Sequence, residues 1–209
     1  MPLIIMVGIP CSGKTTRAKA IKEYLEEEFK MDVQLINEEV LGFDKKEYYK
    51  DSQQEKILRA SLKSNVEKLI DQKRVVILDS QNYIKGFRYE LYCLARNSQT
   101  NLVILFCDTE QEIAQKLCME GGYENAFPEE LFMDYQGRLE RPNPAARWDS
   151  PMIHIRFDEV TPFEEIAKTV QEGKKPRDPV STKAVSELYH VIFWHLGDHL
   201  RRKLPLRIG

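Results

Sequence analysis

No stretch of this chain is apolar for long enough to cross a bilayer. The opening run Met1-Pro2-Leu3-Ile4-Ile5-Met6-Val7 is too short to span one, and it carries neither a basic leader nor a small-residue cleavage site. It reads as a buried strand, with no membrane attachment expected. Cysteine is scarce too: the four at positions 11, 93, 107 and 118 show no CxxC spacing. That excludes a disulfide framework or a zinc ribbon and fits reduced thiols in the cytoplasm and nucleus. An excess of charge of one sign is also missing. A formal net charge of −2 gives no global field for nucleic acid, so direct DNA contact is not expected and any RNA contact needs a local basic patch. Internal repeats and low-complexity tracts are absent. What is present, 42% hydrophobic and 31% charged residues over 209 positions, suffices for one full α/β domain with a short appendage, and not for two independent domains.

Strand and helix signals alternate along the chain. Leu3–Val7 can be buried on both faces; a glycine loop follows, then a helix over Lys14–Phe29 with Ala18, Ile21, Leu25 and Phe29 at helical spacing. Val33–Ile36 reads as a second strand. Asp51-Ser52-Gln53-Gln54-Glu55 offers a capping box for a helix that turns Leu58, Leu62, Val66 and Leu69 inward. Val75–Leu78 and residues 102–106 are further β-branched strands, separated by a helix around 87–95. Thr109-Glu110-Gln111-Glu112 caps another helix, and 128–140 makes one more with Leu131, Phe132, Tyr135 and Leu139 inward. A last strand over 153–157 precedes Thr161-Pro162-Phe163-Glu164, which starts a helix with proline at its first position.

This alternation predicts a three-layer α/β fold: a five-stranded, mainly parallel sheet with helices on both faces. Residues 1–172 make that domain, and 173–180 read as a linker. Residues 181–209 form a helical extension with Val185, Leu188, Ile192, Phe193 and Leu196 as its apolar stripe. One helix cannot bury its own apolar face, so it either docks on the domain or begins another.

Gly8-Ile9-Pro10-Cys11-Ser12-Gly13-Lys14-Thr15 stands directly after a buried strand and directly before a helix. Gly-x4-Gly-Lys-Thr in that context is a P-loop. The loop curls so that successive backbone N–H groups point at a β-phosphate, and the helix N-terminus adds its orphan donors. The expected ligands are ATP and Mg²⁺. Gly8 to Thr16 surround the phosphates, Lys14 bridges the β- and γ-phosphates, and Thr15 ligates magnesium. The amides around Cys11 are expected to lower its thiol pKa. Val75-Val76-Ile77-Leu78 ends in Asp79, which reads either as the acid that orients magnesium or as a helix N-cap.

Phosphoryl transfer needs positive charge on the γ-phosphate. Arg138 and Arg141 lie three residues apart, on one face of a helix end, before a proline-stiffened loop. They read as lid arginines or as solvated surface charge. The aromatic and basic mixture from Asn82 to Tyr89 suits RNA stacking and phosphate contacts, and equally a packed helix start. His195 and His199 share a helix face without a third ligand in view.

Three stretches carry a family resemblance: Gly-Ile-Pro-Cys-Ser-Gly-Lys-Thr, then the long run from Val75 to Arg96, then Arg-Leu-Glu-Arg-Pro followed by Arg-Trp-Asp-Ser-Pro at 147–151. Together they resemble the Elongator-associated accessory P-loop ATPases, the killer-toxin-insensitivity accessory proteins, which are related to the kinase that phosphorylates seryl-tRNA for selenocysteine synthesis. The resemblance covers roughly residues 1–172. It implies a small-kinase P-loop domain joined to a tRNA-binding domain, of which 181–209 would be the incomplete start. It also implies tRNA-responsive ATP hydrolysis in support of the Elongator complex and of wobble-uridine modification. Lys14 and Thr15 then serve phosphate and magnesium, Asp79 is the metal-strand acid, and Arg138 and Arg141 are the lid arginines. Relatives carry an Asp after the second strand where this chain has Asn37-Glu38-Glu39, which leaves the water-positioning role unassigned. Two other readings stand beside this one: a phosphotransferase acting on an aminoacyl-tRNA, and a nucleotide-stabilised binding module without turnover.

Overall fold

The structure is a computed structural model that describes residues 2–120 and 127–173. The chain divides into two units, Met1–Lys175 and Pro176–Gly209, and every described residue belongs to the first. Most of the expected linker, the 181–209 helix and the His195/His199 pair lie outside the described residues.

Five strands form one parallel sheet: β1 (Leu3–Val7), β2 (Val33–Ile36), β3 (Val75–Leu78), β4 (Leu102–Asp108) and β5 (Met152–Arg156), in the spatial order β2-β3-β1-β4-β5. Their apolar runs are continuous because both faces are covered. Leu3, Ile5, Val7, Val76, Leu78 and Ile104 face one way. They pack against α3 (Ser52–Leu69), α4 (Lys85–Asn97), α5 (Gln111–Glu120) and α6 (Glu129–Gly137). Ile4, Met6, Val75, Ile77, Val103 and Leu105 face the other way, against α1 (Lys14–Phe29) and α7 (Phe163–Glu172). The chain steps from β1 to β2 across the α1 face, and from β2 through β5 in the opposite direction across the other. All crossovers therefore share one hand. The change of direction falls at β1, so the crevice at its C-terminal end is where a ligand belongs.

Several local expectations shift. Asp51 is the N-cap of α3 and accepts from the Gln53 amide, whereas Glu55 turns inward and closes no capping box. Pro162 is the N-cap of α7 rather than its first residue. Helix α6 stops at Gly137, short of residue 140, and β4 runs two residues past Phe106. A one-turn helix, α2 (Lys45–Tyr48), capped by the Asp44 carboxylate, has no apolar periodicity to announce it.

Candidate nucleotide site

The phosphate loop requires glycine at two places. A Cβ on Gly8 would stand 2.5 Å from the Cys107 carbonyl oxygen and 2.6 Å from Ser12 Oγ, so only glycine lets β1 leave the sheet this close to β4. Gly13 caps α1 at φ 81°, in the left-handed region. Cys11 adopts φ 58° without being glycine, a strained choice of the kind found in ligand-gripping loops.

Lys14 is buried and folded over the loop. Its Nζ donates to the carbonyls of Gly8 (2.9 Å) and Ile9 (2.7 Å), bonds a γ-phosphate could replace. Burial pulls its ammonium below the usual lysine range, opposed by the Asp79 carboxylate. Asp79 follows β3 and is almost wholly buried; its amide donates to Ile36 O, and its carboxylate takes a hydrogen bond from the Thr15 side chain. Desolvation pushes this carboxyl up, and its Oδ2 has no partner. A buried carboxylate oxygen without a donor, beside a threonine hydroxyl, fits an octahedral magnesium completed by phosphate oxygens and water. Among the described residues no group of three or more His, Cys, Asp or Glu converges, so protein ligands alone would not hold the ion.

Two groups that sequence reasoning did not place complete this wall. The β2–β3 register pairs Ile36 with Leu78, which brings Glu38 beside Ser80. Glu38 is fully buried, and its Oε1 accepts from Tyr49 Oη and Ser80 Oγ at 2.5 Å each. Its Oε2 has no hydrogen-bond partner and lies 3.5 Å from Lys45 Nζ. The unassigned role at Asn37-Glu38-Glu39 thus has a candidate in Glu38, as Asn37 accepts locally from the Val40 amide. The only sequence signal was position: in a parallel sheet, residues just past neighbouring strand ends converge. Lys14, Thr15, Thr16, Glu38, Lys45, Asp79 and Gln81 line a cavity of about 810 Å³.

A second cavity, about 750 Å³, opens on the other side of the loop and is lined by Ile9, Phe106, Asp108, Thr109, Arg141, Arg156 and Phe157. Arg17 lines the first cavity. Its guanidinium donates to Thr161 Oγ1 and to the carbonyls of Arg156, Phe157 and Glu159, tying the β5–α7 connection to α1.

The two lid arginines do not share a face, because α6 ends before them. Arg138 caps the helix and turns to Glu55, Asp134 and Tyr83, over the rings of Tyr83 and Tyr135; it lines neither cavity. Arg141 pairs with Asp108 above the Phe106 ring, on the side away from Lys14. The Cys11 thiol is raised, to about 12, by burial and by the neighbouring Cys118, against the opposing charges of Lys14 and Lys45, so the expected lowering does not appear. Within the Asn82–Tyr89 stretch four residues are packed, while Lys85 and Tyr89 are exposed. Asn82 donates to Met6 O and Leu78 O, Tyr83 and Phe87 are buried, and Arg88 is wholly enclosed.

A parallel sheet in the order 2-3-1-4-5, with a glycine loop on its central strand and an acid on the next, defines a P-loop nucleotide-binding protein of the kinase-like type. The model of the family described as chromatin associated protein KTI12 matches residues 1–194, and the chain belongs to that family. It is 39% identical over 183 residues to the KTI12 homolog of Xenopus laevis, covering 88% of this chain and 66% of that protein's length. The crystal structure of Chaetomium thermophilum Kti12 in complex with ADP-AlF3 superposes with a TM-score of 0.74 at 32% identity, over 82% of this chain and 98% of that one. The APS kinase of Mycobacterium tuberculosis, in complex with AMPPNP and APS, shares the fold alone, with a TM-score of 0.57 at 15% identity over 82% of this chain and 95% of that one.

Proposed function

We propose that this chain binds Mg²⁺-ATP and hydrolyses it as a tRNA-responsive accessory factor of the Elongator complex, supporting wobble-uridine modification. The observation that carries the ATP part is the pairing of Lys14, folded onto its own loop, with a half-buried Thr15 on the buried Asp79, whose Oδ2 has no partner among the described residues. The Chaetomium relative's complex with ADP-AlF3 supports it. The Elongator and tRNA part, and a cytoplasmic and nuclear location, rest on the family resemblance of the sequence.

The nucleotide would cross the loop. Its γ-phosphate points to Asp79 on the β3 side, and its base enters the cavity on the β4–β5 side. There the flat Arg141 guanidinium is suited to stacking on a base, which reassigns it from the γ-phosphate. Arg138 keeps a structural role. In the reaction, a water oxygen bonds to the γ-phosphorus while the bond to the β–γ bridging oxygen breaks and ADP takes the electron pair. The protons of the water leave with phosphate and solvent. Lys14 and the loop amides meet the developing charge, bound magnesium would add to them, and Glu38 Oε2 can accept a hydrogen bond from the attacking water.

The test uses γ-labelled ATP with and without bulk tRNA. Label released as free phosphate, faster with tRNA, supports the reading. Label on RNA would replace it with the phosphotransferase. Lys14→Ala should lower turnover on the order of 10³-fold; parental turnover in that variant would move the active site elsewhere.

A further inference from the structure

Lys45 places a half-buried cation beside the buried Glu38 carboxylate. It opens α2, a one-turn helix with no buried residue, and reaches into the wall of the phosphate cavity. Lys14, Asp79 and Cys11 line the same cavity. Among the described residues its ion-pair partner is Glu38, at 3.5 Å. That is longer than an ordinary N–H···O bond, and the other Glu38 oxygen is already taken by Tyr49 and Ser80. An ammonium carries three donors. This one approaches a carboxylate without closing on it, in the same cavity as a lysine held on loop carbonyls. Two cations therefore flank one space, each on a weak or replaceable partner.

We propose that Lys45 is a second phosphate-binding lysine, which grips the γ-phosphate together with Lys14. This rests on the cavity being the ATP site. On binding, a γ-phosphate oxygen replaces Glu38 as the partner of Lys45. The move frees Glu38 Oε2 for the attacking water, so one displacement both neutralises the phosphate and readies the acid. A nucleoside diphosphate offers no γ-oxygen and leaves Lys45 on Glu38. Lys45 would thus distinguish ATP from ADP, a distinction the loop amides, which address the β-phosphate, cannot make.

Calorimetric titration of the full chain with ADP and with AMPPNP, both with Mg²⁺, tests this on wild type, Lys45→Ala and Lys45→Arg. For Lys45→Ala, ADP affinity should stay within about twofold while AMPPNP affinity falls about tenfold, and Lys45→Arg should recover most of the loss. Equal weakening for both nucleotides, or none for either, overturns the proposal and leaves Lys45 as a counter-charge to Glu38. A wild type that binds neither nucleotide overturns the reading of the cavity itself, and the Lys45 assignment with it.

Discussion

Two regions of this domain bury ionisable groups to the same depth and spend them differently. Around Arg88 the ion pair itself is fully engaged, although Asn82 Oδ1 and Trp148 Nε1 nearby stay without a partner among the described residues. The guanidinium meets Asp149 through Nε (2.7 Å) and Nη2, donates to the carbonyls of Asn82, Tyr83 and Glu140, and Asp149 also accepts from the Asn143 amide. Glu55 is saturated in the same way by Tyr83, Tyr135, Arg59 and Arg138. Around the phosphate loop, Glu38, Asp79, Gln81 and Ser12 each keep a buried oxygen without a partner. Buried polar groups are almost always satisfied, and leaving one unmade costs about 1–3 kcal/mol. The saturated region is scaffold. In the other, Ser12, Glu38, Asp79 and Gln81 all line one cavity beside the phosphate loop.

The largest effect should come from the saturated side. Arg88→Met strands Asp149 without its countercharge and should cost about 3 kcal/mol, read by denaturant unfolding, while the folded fraction binds nucleotide as before. Lost affinity at unchanged stability would erase the contrast.

Asp79→Asn should act in the opposite sense, gaining about 1 kcal/mol in magnesium-free buffer while turnover is lost. Burial raises the Asp79 carboxyl above the usual carboxylate range. The folded state therefore binds the proton more tightly, and wild-type stability falls as pH rises from about 4 through the folded pKa. The advantage of asparagine should grow as pH rises above about 4 and vanish below it; a loss of stability at neutral pH would make Asp79 structural.

The smallest test concerns the Cys11 thiol. Pushed to about 12, it should be on the order of 10⁻⁵ thiolate at pH 7. Alkylation should be slow, rise tenfold per pH unit between 7 and 10, and slow further with ATP. Rapid labelling at pH 7 would show that the loop amides, not burial, govern the thiol.

Much of the fold was legible because its signals are local. Lys14–Phe29 follows from the spacing of Ala18, Ile21 and Leu25, and Val75–Leu78 from four apolar residues buried on both faces. The phosphate loop and Asp79 were legible for the same reason, a fixed spacing against a strand. Glu38 and Lys45 were not, because their convergence depends on β2 lying beside β3, a choice made by the whole sheet. Glu55 looked like the second half of a capping box since only tertiary structure supplies Tyr83 and Tyr135 to draw it inward. Arg138 and Arg141 looked alike in a helical register; they part because the helix ends between Gly137 and Arg138.

The Arg88–Asp149 pair joins residues 61 apart in sequence. Between them lie all of β4, α5 and α6, so closing the pair carries the loop entropy of that span. It is a late-closing clasp. Such contacts contribute little to the folding transition state and much to the barrier against leaving the native state. The enclosed arginine thus governs chiefly how long the assembled domain persists, and hardly at all how quickly it forms.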